Sequence, residues 1–572
     1  MARHSRRYSS LASSDRGGSP PPAYMPPWPC WNNEQTPLLK RDRDSESSLE
    51  NGTSICLGLI SLVIQLAIIV LFGFALYKIL LLILSTISPH AAIPAPPLLP
   101  LLPPTYSVAI IGAGPAGISA AQYLHSKAGS LDVRFNITLF ESAPSIGGQL
   151  ALNDSTGGPV FPYNDRTQDP IIAEDIAGSA LMWSNPLFTK ASEQILGVNT
   201  EFSELPSQQV GYFDGERMVS QTTRPYSKTP TSSWLRLIWK YGSSTWRAGA
   251  MSKEGDLRER FTNPPLISDI MQLMVSLDVV QPVQEYAHSG LDSRGIGDPY
   301  VTEILAPQAE RALSQRVPDI STLAVALSAF QEDVANAYVG GELLDTLEQI
   351  LGATGTTVRA ATEVSGLRHA EIRDDASAWL VKYDARGASG SRAEAFDRVI
   401  IAAPCFDLYR AASVDDIEAA SVMTYRAAYV TFFTLPARLN PDVYGEVEQV
   451  LFLEKQEEGD SLGGVRELAF VREVDRVTVD GNRKIEHMYR ALSDGDATER
   501  LQQLDLEVTW SYQARLDNAY PLLYPSRRLP PFKLSEKGLW WTPAIHAIAS
   551  TVDMSWLAGQ IVAEEVVKDV LK

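Results

Sequence analysis

The sequence predicts an α/β fold in which a parallel-sheet domain is interleaved with an α+β domain and preceded by a single transmembrane helix. Three observations support this prediction. A glycine-rich turn joins a short apolar run to a helical pattern at residues 108–127. Strand-like and helical runs alternate again beyond residue 340, after a long mixed region. An apolar stretch without formal charge, Ile55–Tyr77, is long enough to cross a bilayer.

The glycine-rich turn has the spacing Gly112-x-Gly114-x-x-Gly117 between a predicted strand, Val108–Ile111, and a helix that Pro115 begins. Gly112 permits the tight turn, Gly114 lets a pyrophosphate approach the backbone, and Gly117 lets the helix pack closely on the strand. The free N–H groups at the start of the helix attract phosphate. This pattern predicts a Rossmann-like dinucleotide-binding domain.

The residues after the next predicted strand, Phe135–Phe140, narrow the choice of dinucleotide. Glu141 follows this strand, where its carboxylate can accept hydrogen bonds from ribose hydroxyls and would repel the 2′-phosphate of NADP. The doublet Gly147-Gly148 resembles a second turn of flavoprotein oxidases, although Gln149 stands where that pattern usually has Arg. We therefore predict FAD, bound non-covalently because the C-terminal part of the chain has no cysteine to tether it.

Three later β-like runs, Thr357–Arg359, Ala378–Tyr383 and Arg398–Ala403, indicate that this domain resumes after a long insertion. Gly538–Trp541 predicts a last strand, followed by a helix that ends near Leu571. The predicted segments are a disordered cytoplasmic tail (1–54), a transmembrane signal anchor (55–88), a Pro-rich linker (89–105), three parts of the FAD-binding domain (106–185, 338–410 and 531–572), a helical substrate segment (186–337) and a substrate-domain sheet (411–530).

This discontinuous arrangement resembles that of the flavin monoamine-oxidase-like superfamily, in which the last helix points its N-terminus at the flavin. The helix dipole would stabilise the negative charge that develops on the pyrimidine ring upon reduction. We therefore expect backbone around Thr551–Ser555 to contact the flavin, with a plain surface helix as the alternative. The predicted FAD-binding residues are Gly112, Gly114, Ala116, Gly117, Glu141, Gly147, Gly148, Gln149, Val364, Thr551, Asp553 and Met554.

The apolar stretch also predicts a topology. The basic cluster Lys40–Arg43 precedes it, whereas residues 89–126 contain no Lys or Arg, so the positive-inside rule predicts a single-pass type II protein with a lumenal catalytic domain. A cleavable signal peptide is the alternative, but its apolar core would be shorter and nearer the N-terminus. Of the two lumenal sequons, Asn153 is the expected glycan site, because Asn136 begins a predicted buried strand.

The tail contains Glu34-Gln-Thr-Pro-Leu38-Leu39, which resembles the acidic dileucine signal that clathrin adaptors read. We expect adaptor contact through Glu34, Leu38 and Leu39, and delivery to the vacuolar or lysosomal membrane. A chance match in a solvated tail is the alternative.

A set of strings beyond the glycine turn resembles one family, the prenylcysteine oxidases (prenylcysteine lyases), in order over residues 106–570. They are Val210-Gly-Tyr-Phe-Asp-Gly-Glu216, Leu237-Ile-Trp-Lys-Tyr-Gly242 with Trp246-Arg247, Glu303-Ile-Leu-Ala-Pro307, Asp319-Ile-Ser-Thr-Leu-Ala-Val325, Tyr338-Val-Gly-Gly341, Ala519-Tyr-Pro521 and Ala549-Ser-Thr-Val-Asp-Met-Ser555. Two departures are Gln149 and a membrane anchor in place of a signal peptide.

The resemblance implies a thioether oxidase in the degradation of prenylated proteins. Hydride would pass from S-farnesyl- or S-geranylgeranylcysteine to flavin N5, giving cysteine, a prenyl aldehyde and, with oxygen as acceptor, hydrogen peroxide. Two alternatives stay open. One is a flavin oxidase of an amine or a specialised metabolite, and the other is a non-catalytic prenyl-binding protein of the Rab escort or GDI type.

The sequence offers little for other chemistry. Hydride transfer needs no strong general base, and His546 is a weak catalytic candidate because it is the histidine in the predicted flavin-facing segment. No recognisable metal-ligand cluster occurs, so no metal is expected. The net charge of −19, without a basic stripe, argues against nucleic-acid partners.

Overall fold

A computed structural model of the 572-residue chain describes residues 68–82, 103–154, 157–177, 186–197, 202–204, 207–257, 260, 263–333, 337–339, 343–372, 376–387, 390–404, 423–453, 464–478, 480–527 and 529–572. The chain divides into two units, one up to Pro100 and one from Leu101 to Lys572.

The first unit is described at residues 68–82, which belong to the predicted membrane anchor (55–88). They form a helix whose side chains are all exposed. Among the described residues, no helix is both long and apolar enough to cross a membrane. The predicted tail (1–54), with Glu34, Leu38 and Leu39, lies outside the described residues, as does the predicted linker up to residue 102.

In its described residues the second unit has eighteen strands: β1 (Thr105–Ile111), β2 (Arg134–Phe140), β3 (Phe202–Glu204), β4 (Gln208–Phe213), β5 (Met218–Arg224), β6 (Ala337–Val339), β7 (Thr357–Arg359), β8 (Thr362–Ile372), β9 (Ala376–Ala385), β10 (Arg392–Phe396), β11 (Arg398–Ile401), β12 (Tyr425–Leu435), β13 (Gln449–Phe452), β14 (Val465–Val477), β15 (Arg483–Ser493), β16 (Trp510–Pro521), β17 (Lys533–Ser535) and β18 (Leu539–Trp541).

The same residues form fourteen α-helices: α1 (Pro115–Leu131), α2 (Ala173–Ala177), α3 (Pro186–Leu196), α4 (Thr231–Tyr241), α5 (Ser244–Gly255), α6 (Ile270–Ser276), α7 (Val280–Gln284), α8 (Ala287–Ser293), α9 (Ala306–Leu313), α10 (Thr322–Asp333), α11 (Leu343–Ala353), α12 (Pro441–Tyr444), α13 (Thr498–Gln503) and α14 (Val552–Val570). A π-helical turn, Val301–Leu305, leads into α9.

A six-stranded sheet in the order β17-β18-β11-β1-β2-β7 forms the Rossmann-like domain. β1 is parallel to both of its neighbours, β2 and β11, and the edge strand β17 is antiparallel to β18. A parallel strand that is buried on both faces reads as a continuous apolar run, as Val108–Ile111 does. The six strands come from the three segments 106–185, 338–410 and 531–572, so residues far apart in the chain meet in one sheet.

Helices α1 and α14 pack against each other, which brings the end of the chain back to the glycine-rich turn. Gly559 makes the close approach possible, since a Cβ there would lie 2.2 Å from the carbonyl oxygen of Ala116. Ser119 Oγ donates to the carbonyl oxygen of Trp556 at 2.7 Å. The predicted last helix therefore exists, with its N-terminus at Val552.

The second large sheet has seven strands in the order β16-β12-β15-β14-β13-β4-β5. Its strands β4 and β5 come from the segment predicted as helical (186–337), in addition to that segment's helices. β4 pairs in parallel with β13, from Gln449 opposite Val210 to Phe452 opposite Phe213. A pairing between segments so distant in the chain leaves no local signal in the sequence. Two smaller sheets, β10-β9-β8 and β3-β6, complete the unit's described strands.

The expectation that Asn136 is buried, which favoured Asn153 as the glycan site, is wrong. Asn136 is exposed, because burial of β2 begins only at Ile137. Asn153 is half-buried, and its Nδ2 donates a hydrogen bond of 2.9 Å to Ser145 Oγ. Asn136 is therefore the more accessible acceptor for a glycan.

Candidate active site

The glycine-rich turn is held between the ends of β2 and β11. Gly112 has φ +106°, which favours glycine, and a Cβ there would lie 3.1 Å from the carbonyl carbon of Ala402. Its N–H donates to the carbonyl oxygen of Phe140 at 2.8 Å. At Gly114, by contrast, a Cβ would meet no heavy atom within 4 Å. The turn is therefore packed on one side and open at Gly114.

The open side coincides with the N-terminus of α1. Gly114 is the N-cap residue and provides no side-chain hydrogen bond to the helix, and Pro115 follows it. The first N–H groups of an α-helix have no partner within the helix, and together with the helix dipole they attract anions. This end of α1 is thus suited to a phosphate group.

Glu141 ties the glycine-rich turn to the loop that follows β2. One of its carboxylate oxygens accepts a hydrogen bond of 2.7 Å from the N–H of Ala113, and the other accepts one of 2.8 Å from the N–H of Ala143. Gly147 N–H in turn donates to the carbonyl oxygen of Ala113 at 2.9 Å. These bonds fix the acid and both glycine turns in one cradle.

A cavity of about 1160 Å³ lies against this cradle, at the carboxyl ends of β1 and β11. Sites for one small ligand usually occupy roughly 300–1,000 Å³, so the cavity has room for a dinucleotide together with a substrate. Of the predicted site residues, those that line it are Gly112, Gly114, Ala116, Glu141, Gly147, Gly148, Gln149, Val364, His546, Thr551 and Asp553.

Two predicted FAD-binding residues do not line the cavity. A Cβ at Gly117 would lie 2.0 Å from the carbonyl oxygen of Gly112, so this glycine serves the packing of α1 on its own turn. Met554 is fully buried in the core of the Rossmann-like domain. Its N–H donates to Thr551 Oγ1 at 3.2 Å, which caps α14.

Gln149 lines the cavity and joins its two sides. Its Nε2 donates a hydrogen bond of 2.7 Å to the carbonyl oxygen of Asn518 on β16. Where the flavoprotein pattern would place an arginine, this chain therefore has a neutral link between the second glycine turn and the seven-stranded sheet.

Asp553 lies in the first turn of α14 and has an unsatisfied oxygen. Its Oδ1 is sealed from solvent and has no hydrogen-bond partner among the described residues. Burial raises the pKa of Asp553 to about 7. A buried polar atom without a partner is rare in folded proteins, so a polar group of a bound cofactor would complete this site.

His546 lies on the cavity wall beside Tyr425. Its Nδ1 is 3.0 Å from the Tyr425 hydroxyl oxygen. Burial lowers the pKa of His546 to about 4, so the imidazole is neutral at and above pH 5.

Sequence reasoning missed three buried charged residues of the cavity lining, Arg311, Glu467 and Arg490. They come from α9, β14 and β15, and the fold alone brings them together. Apolar side chains also line the cavity: Ile176, Leu257, Leu327, Phe330, Val430 and Leu492. The cavity therefore combines a dinucleotide cradle, an apolar wall and buried charges.

The family model described as prenylcysteine lyase matches residues 227–571. The chain belongs to the prenylcysteine lyase family. A second model, for an NAD(P)-binding Rossmann-like domain, matches residues 110–168, which contain the cradle. The family, this domain and the chemistry of the cradle agree on FAD as the cofactor, and the protein is an FAD-dependent oxidoreductase of this family.

Curated relatives carry the name prenylcysteine oxidase 1. The protein of Rattus norvegicus is 22% identical over 500 residues, which cover 80% of this chain and 88% of the relative. That of Mus musculus is 23% identical over 507 residues, with the same coverage of 80% and 88%.

Solved structures of a putrescine oxidase also overlap with the chain. A triple mutant gives a TM-score of 0.49 at 15% identity, covering 81% of this chain and 99% of that one. The wild type bound to putrescine gives 0.46 at 14% identity, with coverage of 81% and 99%.

Proposed function

We propose that the protein cleaves S-prenylcysteine, with a farnesyl or geranylgeranyl chain, to cysteine, a prenyl aldehyde and hydrogen peroxide. The main support is the continuity of the cavity, in which the dinucleotide cradle and a set of apolar side chains line one space. The relatives of Rattus norvegicus and Mus musculus also bear the name prenylcysteine oxidase 1.

The apolar wall suits a prenyl chain. Leu257 and Val430 are buried, and Leu327, Phe330 and Leu492 are half-buried. Burial of apolar surface stabilises a complex by roughly 25 cal/mol per Å², so a chain of isoprene units gains affinity here.

A bound FAD would supply the acceptor for the hydride that leaves the carbon next to sulfur. Water then adds to that carbon and the C–S bond breaks, which releases cysteine and the aldehyde, while oxygen is reduced to hydrogen peroxide. Within the chain, His546 is a neutral imidazole on the cavity wall and can accept a proton from the adding water, with Tyr425 orienting its ring.

The test is a product balance with the full-length protein. S-farnesylcysteine in air should yield cysteine, farnesal and peroxide in equal amounts, with one oxygen consumed per turnover. Oxidation of amines but not of S-farnesylcysteine would overturn the proposal in favour of an amine oxidase. Tight binding of the thioether without any product would point to a non-catalytic prenyl-binding protein.

We also propose a type II topology in the vacuolar or lysosomal membrane, with the catalytic domain in the lumen. The basic cluster Lys40–Arg43, the apolar stretch Ile55–Tyr77 and the dileucine signal Glu34/Leu38/Leu39 support this proposal. Glycan mapping tests the topology. A glycan on Asn136 that Asn136→Gln removes is the expected result. A third sequon, Asn51-Gly-Thr53, precedes the apolar stretch, and a glycan on Asn51 would place the catalytic domain on the opposite side.

A further inference from the structure

Two guanidinium groups share one carboxylate beside the cavity. Arg224 Nη2 lies 2.5 Å from Glu332 Oε1, and its Nε lies 3.3 Å from Oε2. Arg311 also donates to Glu332 Oε1 through Nη2. All three side chains are buried. One positive charge in this group is therefore not neutralised.

A second charged pair lines the same cavity. Arg490 Nη2 is 2.8 Å from Glu467 Oε2, and Arg490 Nη1 donates to the carbonyl oxygen of Asp175 at 2.9 Å. Glu467 is fully buried. This pair is balanced in charge, so the excess positive charge stays with Arg224 and Arg311.

Both charged groups leave polar atoms without a partner. Among the described residues, Arg311 Nε and Arg490 Nε have no acceptor and Glu467 Oε1 has no donor, and all three atoms are sealed from solvent. Unsatisfied polar atoms of buried charged groups are costly. Arg311, Arg490 and Glu467 all line the cavity, so their unsatisfied donors and acceptor are complementary to a ligand that carries both charges.

We infer that Arg311 and Glu467 form a subsite for the α-amino acid part of the substrate, with Arg311 binding the carboxylate and Glu467 the ammonium group. This inference rests on the proposed function and extends it from the prenyl chain to the other end of the molecule. The carboxylate supplies the negative charge that the shared pair of guanidiniums lacks. The apolar side chains Leu257, Leu327 and Phe330 line the same cavity and are left for the prenyl chain.

The direction in which the pKa of Arg311 is shifted agrees with this assignment. Burial, together with the nearby charge of Arg224, lowers the pKa of Arg311 below its ordinary value. An incoming carboxylate would relieve this electrostatic cost. A ligand without a carboxylate would leave the excess charge uncompensated.

The experiment compares three thioethers with the full-length flavoprotein in the absence of oxygen: S-farnesylcysteine, S-farnesylcysteamine, which lacks the carboxylate, and 3-(farnesylthio)propionate, which lacks the ammonium group. The concentration for half-maximal flavin reduction is the readout. Loss of a hydrogen bond to a charged group should raise it about 10- to 100-fold for each truncated compound.

Two variants assign the groups. Arg311→Gln should abolish the preference for S-farnesylcysteine over the cysteamine, and Glu467→Gln should abolish the preference over the propionate. Arg466→Gln is the matched control, because this half-buried arginine of β14 pairs with Glu310 at 3.3 Å and does not line the cavity. It should retain both preferences.

If the wild type needs the same concentration of all three thioethers for half-maximal flavin reduction, the proposed subsite is wrong, while the proposed function stands. Failure of every thioether to reduce the flavin would overturn the proposed function, and the subsite with it. Should a variant not fold, the comparison of the three compounds on the wild type still decides between these outcomes.

Discussion

The carboxylate of Glu141 accepts a hydrogen bond of 2.7 Å from the backbone N–H of Ala113. The acid at the end of β2 thus holds the glycine-rich turn at the end of β1, in addition to being placed for a ribose. Its second oxygen accepts the N–H of Ala143. The cradle is organised by the protein's own bonds, so a cofactor need not order it.

Glu141→Gln is expected to weaken FAD binding by about 10- to 100-fold, because the neutral amide offers one acceptor where the carboxylate offers two, and hydrogen bonds to charged groups contribute roughly 1.5–3 kcal/mol. Titration of flavin-free protein with FAD, followed by flavin fluorescence, measures the effect. Glu348→Gln, at an exposed position of α11, is the control. Equal affinity of both variants would show that Glu141 does not serve the cofactor.

Replacing two glycines of the same motif by alanine should have different effects, one on FAD affinity and one on stability. Gly114→Ala meets no protein atom within 4 Å, so the fold should persist while the methyl group obstructs the phosphate and FAD affinity falls. Gly117→Ala places Cβ 2.0 Å from Gly112 O and should destabilise the fold by about 1–3 kcal/mol. Melting temperature and FAD affinity, measured on both variants, separate the two effects, and the reverse assignment would contradict this account of the turn.

The buried carboxyl of Asp553 should make stability depend on pH. Its pKa is about 7 in the folded state, whereas the ordinary value, which applies to the unfolded state, is 3.8. Between pH 3.8 and 7 the unfolded state therefore binds fewer protons than the folded state. Stability therefore falls as pH rises through this window, by up to about 4 kcal/mol. Asp553→Asn should remove this slope. Denaturant unfolding of both proteins from pH 4 to 8 measures the difference, and parallel curves would show that the carboxyl is not perturbed.

His546 should contribute little to the oxidation itself. Because burial keeps its pKa near 4, the rate of flavin reduction should show no His546 titration between pH 5 and 8. His546→Gln should slow flavin reduction less than about tenfold, whereas loss of a general base would cost roughly 100- to 10,000-fold. Stopped-flow reduction by S-farnesylcysteine measures this rate, with Tyr425→Phe as the companion variant. A loss of 100-fold or more would show that His546 acts in hydride transfer and not only in the addition of water.

The cradle could be predicted from sequence because its determinants are local. The glycine spacing, Glu141 after β2 and Thr551 before α14 each lie within a few residues of the element that they serve. Strand-like runs in the sequence fall in the segments that supply the six-stranded sheet. Their order in that sheet follows from long-range pairing, which no local pattern gives.

The charged wall could not be predicted, because Arg311, Glu467 and Arg490 come from three separate elements. In sequence, each resembles an ordinary surface charge. Met554 is predicted at the flavin because it lies at the N-terminus of the last helix, yet its side chain is buried in the core. Asn136 was expected to be buried with β2, but the first residues of that strand lie before the buried part.

Anaerobic addition of S-farnesylcysteine to the full-length flavoprotein tests the central claim most directly. We expect the flavin absorbance near its visible maximum to bleach, and to recover when air is admitted, with one farnesal and one cysteine released per flavin. A flavin that stays oxidised with S-farnesylcysteine and S-geranylgeranylcysteine at saturating concentration would contradict the claim that this cavity oxidises prenyl thioethers.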